Sequence, residues 1–277
     1  MTKRILLSLS MLIAVMTALN AQKIAVTKGQ KLETVSTSTM TMDVMGQSIN
    51  NETTVTSQIE IKDVTAKGYV FANTISHMAV KGTMMGQDIN FDSDKKEDMD
   101  GQMGQVLKDR IGTVQEIQVD RNGKVTDTKD TSKKAPAGIS DMMNLGADFS
   151  KGQAYPVLIQ LPAKAVKPGD SWTDSTGTPA TVKMITTYTL KEITADGVVI
   201  NFTGSLEKSG TIEQNNMEIQ MDMKGTVKGD ALYETASGLL KKNTIVSDIT
   251  GTVGVMGQNA PLTMKSTVDT RAKKIVR

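Results

Sequence analysis

Apolar and polar residues alternate with a period of two along most of the chain. In "NMEIQMDMK" (216–224), Met217, Ile219, Met221 and Met223 fall on one side, and Glu218, Gln220, Asp222 and Lys224 on the other. "TMTMDVM" (39–45) repeats the pattern with Met40, Met42 and Val44. This alternation predicts antiparallel strands with one buried and one solvated face. Glycine-containing clusters interrupt the runs at "AKG" (66–68), "RNG" (121–123), "ADG" (195–197) and "ASG" (236–238). The triplet Met-Gly-Gln occurs at 45–47, 85–87 and 256–258, each time followed by Ser, Asp or Asn. Both kinds of interruption read as hairpin punctuation, because their residues tolerate the backbone of tight turns. Gly46, Gly68, Gly86, Gly123, Gly197, Gly238 and Gly257 are therefore expected at corners.

Two stretches have helical spacing instead. Residues 94–112 begin acidic and carry Met103, Val106, Leu107 and Ile111. Gly101 and Gly104 place the helix start near Gln102, and Gly112 is the expected stop. Residues 138–149 form a second short candidate, with Ser140 as N-cap.

A longer recurrence organises the chain. "IEIKDVTAKGYV" (59–70) aligns without a gap onto "YTLKEITADGVV" (188–199), and each is followed by strand, polar turn and strand. We read two related β-rich halves, 22–130 and 155–277, joined by a linker with a short helix over 131–154. The expected fold is mainly β. Long antiparallel strands in hairpin meanders form an extended sheet, half-barrel or barrel, with one or two short helices.

The first 21 residues change the compartment. Lys3 and Arg4 precede the apolar run 5–18, and Ala21 suits a cleavage site, the pattern of a secretory signal peptide. Later segments fall short of a membrane helix in length, so an exported, periplasmic or extracellular protein that is not integral to the membrane is expected. Loss of Lys3 and Arg4 with the leader balances the 32 basic against the 30 acidic residues. A neutral chain with 3% aromatic residues offers neither the electrostatic footprint nor the stacking platforms of a nucleic-acid binder. Absence of cysteine excludes disulfides, thiolate metal sites and a cysteine-linked lipid anchor.

Candidate chemistry is sparse. His77 is the one histidine, and strand alternation sets it beside Tyr69, Phe71 and Ile75, with Ser76 pointing the other way. That arrangement reads as a sheet histidine and not as half of a nucleophile–base pair. Residues 92–101 are acidic, but EF-hand alignment puts Lys96 and Leu107 at ligand positions, so a charged helix start is the better account. Neither cofactor nor metal is expected from these spacings. The 19 methionines are the unusual feature. Alternating on strands, they read as core or as the lining of an adaptable apolar cavity, and Cu(I) binding lacks supporting His or Cys. Met40, Met42, Met217, Ile219, Met221 and Met223 are the candidate lining.

"LPAKAVKPGDSW" (161–172), in which Pro168, Gly169 and Trp172 mark a turn feeding a strand, and a later "YETASGLLKK" (233–242) resemble a family of secreted bacterial proteins known as a domain of unknown function. The resemblance implies an exported, largely β protein and carries over no catalytic residue. The expected function is a non-enzymatic binding protein that holds an apolar or lipid-like ligand. The alternative is a structural or protein-interaction module of the cell envelope, and an enzyme of unknown class stands third.

Overall fold

The computed structural model describes residues 25–44, 46–84, 87–130, 149, 151–176, 182–214, 217–255 and 258–276. The leader, the candidate helix over 138–149 up to residue 148, and Met45, Met85, Gly86, Met256 and Gly257 lie outside them. Four strands and two short helices come first: β1 (Lys31–Val44), β2 (Gln47–Thr65), β3 (Gly68–Met84), β4 (Gln87–Asp92), α1 (Lys96–Asp100) and α2 (Gln102–Leu107). Then follow β5 (Val114–Asp120), β6 (Val125–Asp130), β7 (Ser171–Thr176), β8 (Val182–Ile193), β9 (Val198–Gln214), β10 (Met217–Tyr233), β11 (Leu240–Val255) and β12 (Gln258–Lys274).

All twelve strands belong to one antiparallel sheet, in the order β6-β5-β3-β2-β1-β12-β11-β10-β9-β8-β7, with β4 paired to β3. The sheet does not close into a barrel. β5 takes the Gly68–Thr74 part of β3, β4 takes Ala79–Met84, and α1 and α2 occupy the connection between them.

Register assigns every residue to a face. Leu32, Met40 and Met42 of β1 pair with Ile59, Asn51 and Ile49 of β2, and Met42 and Val44 pair with Met264 and Leu262 of β12. This inner face carries the core, while the outer face is largely polar and exposed. The turns segregate as well. Those after β1, β3, β9 and β11 lie at one end, the rim, and those after β2, β5, β8 and β10 lie at the other, the base.

At the base the sheet curls on itself. Ile117 and Val125 come from one end of the strand order and Leu190 and Val198 from the other, yet all four belong to a single buried cluster. Phe149 and the segment 151–166 fill the space between them. Tyr155, Leu158, Ile159 and Leu161 are each at most 2% exposed, and the Tyr155 ring packs at a tilt against Phe71 with centroids 4.7 Å apart. Each such side chain contributes about 2 kcal/mol of apolar burial. The plug is tied to the sheet through Leu240 N–H donating to Val157 O and Tyr155 N–H donating to Gly123 O. At Gly123 an added methyl would lie 2.8 Å from Ile159 O, so the plug fits only against a bare backbone.

α2 starts at Gln102, where the glycines place the helix start, but ends at Leu107 without reaching Ile111, and a separate short helix, α1, precedes it across Gly101. Leu107 nevertheless packs with Met78, Val80 and Phe91, so the helix pair covers the inner face beside β3 and β4. Gly112 has φ +79° and turns the chain into β5.

Candidate functional site

The rim half of the inner face gathers most of the candidate lining. Met40 and Met42 are 7% exposed, and Met42 forms a small buried cluster with Ile49 and Leu262. Met223, Val253 and Met264 pack against that cluster while remaining half-buried. Ile219 and Met221 continue the same face, pairing with Val255 and Val253, and are also half-buried. Met217 pairs with Gln214 of β9, but its side chain lies outside the described residues. The inner face therefore changes character along its length, from a large buried cluster at the plugged base to a small buried cluster flanked by half-buried side chains towards the rim.

Glycines shape this face. Gly225, Gly229 and Gly251 lie on it by register, and a methyl at each would meet a neighbouring backbone oxygen at 2.5, 2.1 and 2.1 Å. Strands approach there more closely than any side chain allows. Of the glycines expected at corners, Gly46, Gly68, Gly123, Gly197 and Gly238 sit at or beside the turns after β1, β2, β5, β8 and β10.

A polar cluster sits where the plug meets β7. Lys124 pairs with Asp174, whose other oxygen accepts the Gln160 amide at 2.9 Å. Trp172 stacks on Tyr188 at 5.8 Å, and Tyr188 meets Phe202 at a tilt, with ring centroids 6.2 Å apart. Burial and the Asp174 carboxylate push the Tyr188 hydroxyl up to about 12. "KPGDSW" forms the expected turn: Asp170 N–H donates to Lys167 O, Gly169 has φ +93°, and Trp172 packs on the core.

The position of His77 corrects the expectation from simple alternation. The β2–β3 ladder shifts at Thr56/Ser57, so that Thr56 pairs with His77 but Ser57 pairs with Ile75. Ser76 is the extra residue of a bulge, which turns His77 away from Tyr69, Phe71 and Ile75 onto the outer face. The Ser76 hydroxyl donates to Thr56 O at 3.2 Å. His77 Nε2 lies 3.0 Å from Asp92 Oδ1 and 3.8 Å from Asp94 Oδ2. The Asp94 N–H, followed by His77, holds the Asp92 carboxyl below its ordinary range. Sequence reasoning missed this trio, because only the bulge brings the three residues to one side. A depression of about 650 Å³ also lies on the outer side, lined by Thr39, Thr41, Glu52, Lys81, Asp248 and Lys265 among others.

The fold and these surfaces define an open, two-faced antiparallel β-sheet protein with a plugged base. The chain belongs to the Family of unknown function (DUF6263), whose model matches residues 66–240. Comparison with curated proteins gives no match. Among solved structures it is similar to lipovitellin, described for its lipid–protein interactions, with 10% identity and a TM-score of 0.46 over 89% of this chain. It spans a quarter (25%) of that chain's length. It is also similar to the COG4313 outer membrane channel of Pseudomonas putida F1, at 8% identity and TM-score 0.26, covering 91% of this chain and 98% of that one. The β domain of the Bordetella autotransporter BrkA follows at 7% identity and TM-score 0.26, covering 89% and 100%. None superposes closely. No helix among the described residues is long and apolar enough to cross a membrane.

Proposed function

We propose that this is an exported, non-enzymatic binding protein that holds an apolar or lipid-like ligand against the rim half of its inner face. The observation that carries the reading is the change in burial along that face. At the base Phe71, Ile117 and Leu190 are fully buried in the cluster that contains the plug, whereas Ile219, Met221, Met223 and Met264 keep part of their surface uncovered. Half-covered apolar surface beside a polar outer face marks a place of contact with something apolar. Methionine suits such a contact, since its unbranched thioether adapts to chains of different shape. The basic-then-apolar leader supports the export part of the reading.

The test is native mass spectrometry of the mature chain, with lipid extraction of the same preparation. Bound masses of acyl-chain character are expected, and their loss on Met221→Thr/Met223→Thr would assign them to this face. Apo protein alone, in every preparation, overturns the reading. The outer depression supports the second reading, an interaction module of the cell envelope. That reading would gain if envelope proteins were crosslinked through Lys81 or Lys265 while no lipid was recovered.

A further inference from the structure

The trio on the outer face can do something that the inner-face reading does not use. We propose that His77, Asp92 and Asp94 form a surface site for a borderline divalent cation of the Zn²⁺ type. The proposal is independent of the ligand reading, because by register His77 lies on the opposite face of the sheet from Met42 and Met223.

Three observations carry it. The first is the bulge, which spends an unpaired residue, Ser76, to present the chain's one imidazole beside two carboxylates. The second is spacing. Nε2 is 3.0 Å from Asp92 Oδ1 and 3.8 Å from Asp94 Oδ2, and one ligand atom from each residue lies within 4.8 Å of the others. A tetrahedral ion with bonds of about 2.0–2.1 Å sets its ligands about 3.3 Å apart. The trio therefore needs only small side-chain adjustments to enclose one. The third is how the ligands are held. Asp92 Oδ1 accepts the Asp94 N–H at 3.0 Å, and the Asp92 N–H is taken by Asp98 Oδ2 at 2.8 Å, so the backbone of the turn orients the carboxylates.

Ligand chemistry selects the ion. One imidazole nitrogen with two carboxylate oxygens suits Zn²⁺ and its neighbours, whereas Ca²⁺ takes oxygen ligands, six to eight of them, and gains little from an imidazole. Asp94 is 76% exposed on its side chain, which leaves the remaining position open to water. Bound there, the cation would tie the bulge of β3 to the end of β4 and to the turn that leads into α1. It would thus fix from outside the helix pair that covers Met78 and Val80 on the inside. The effect is that of a clamp, not of a catalytic centre.

The test uses tag-free mature protein stripped with a chelator and titrated with ZnCl₂. Because His77 is the one histidine, a single set of imidazole resonances in a ¹H–¹⁵N long-range spectrum reports its ligation directly. Saturation at one equivalent with a shifted Nε2 signal is expected, together with a rise in Tm of about 5 °C at a hundredfold excess over Kd. His77→Gln and Asp94→Asn should each weaken binding by at least about tenfold. Asp88→Asn, an exposed acid on the neighbouring strand β4, should leave it unchanged. Zn²⁺ binding that leaves the imidazole signal in place, equal binding by His77→Gln, or no binding at millimolar Zn²⁺ would each show that the trio is an ion pair only and overturn the proposal.

Discussion

The ammonium of Lys124 and the carboxylate of Asp174 form an ion pair between opposite ends of the strand order. Lys124 immediately precedes β6, and Asp174 lies in β7. Among the described residues no strand ladder joins these two edges, so this side-chain contact and the plug hold the curl of the base together. Asp174 is the more buried partner, with its side chain 13% exposed against 34% for Lys124.

Removing Asp174 should therefore cost more than an ordinary surface pair. Asp174→Ala leaves the buried Gln160 amide and the Lys124 ammonium without their acceptor, and a loss of about 1–3 kcal/mol is expected. Asp174→Asn, which keeps an acceptor for Gln160, should lose less. Urea denaturation followed by the fluorescence of Trp172, two residues away and the chain's one tryptophan, measures both.

The inner-face glycines make a second prediction. Gly229→Ala forces a methyl against Thr244 O at 2.1 Å and Phe202 Cζ at 2.6 Å, so a neighbouring strand must move. A destabilisation of about 1–3 kcal/mol is expected. Gly112→Ala, at φ +79° with nothing within 4 Å, should cost only the backbone strain of about 1 kcal/mol. Thermal melts of the two variants should separate crowding from conformation, and equal losses would contradict the crowding account.

Acid sensitivity should be traceable to Glu234. Its carboxyl accepts hydrogen bonds from Lys274 and from Ser237, which hold it below its ordinary value of 4.5 despite some burial. A depressed carboxyl contributes stability that is fully present above the unfolded value and is lost as pH falls through the folded one. Tm should thus fall on acidification below about 4.5, and Glu234→Gln should flatten that part of the profile. An unchanged acid limb in the variant would assign it to other carboxylates.

Stability and ligand retention should respond to different methionines. Met42→Ala, at a buried position, should cost about 2–3 kcal/mol. Met223→Thr, at a half-buried one, should cost about 1 kcal/mol or less while lowering the amount of co-purified lipid. A large stability loss from Met223→Thr would mark that part of the face as packed core.

Much of the fold was legible because period-two alternation reads directly as face assignment. "IEIKDVTAKGYV" and "YTLKEITADGVV" even share details below the level of pattern. Lys62 and Lys191, aligned positions in the two segments, are each skipped by the ladder, and Thr65 and Thr194 each bond the carbonyl of the following glycine, Gly68 and Gly197. Alternation fails wherever the ladder gains a residue. The bulge at Ser76 has no signature in "NTISHMAV", so alternation alone places His77 on the wrong side and hides its meeting with Asp92 and Asp94. The plug was missed for another reason. "YPVLIQLP" is apolar without period, and its place inside the curled base depends on contacts from strands more than a hundred residues apart in sequence.

The pairing of β1 with β12 at the centre of the sheet has a consequence for biogenesis. Leu32 pairs with Lys274, and Ile275 N–H donates to Lys31 O at 2.9 Å. This ladder closes a loop that spans nearly the whole described chain, so it forms against a large entropic cost and is unavailable until β12 has been synthesised. Until then β1 and β11 each present a long unpaired edge to any other strand nearby. A chain interrupted before β12 would carry two such edges at once, which makes truncation products the species most prone to edge-to-edge association.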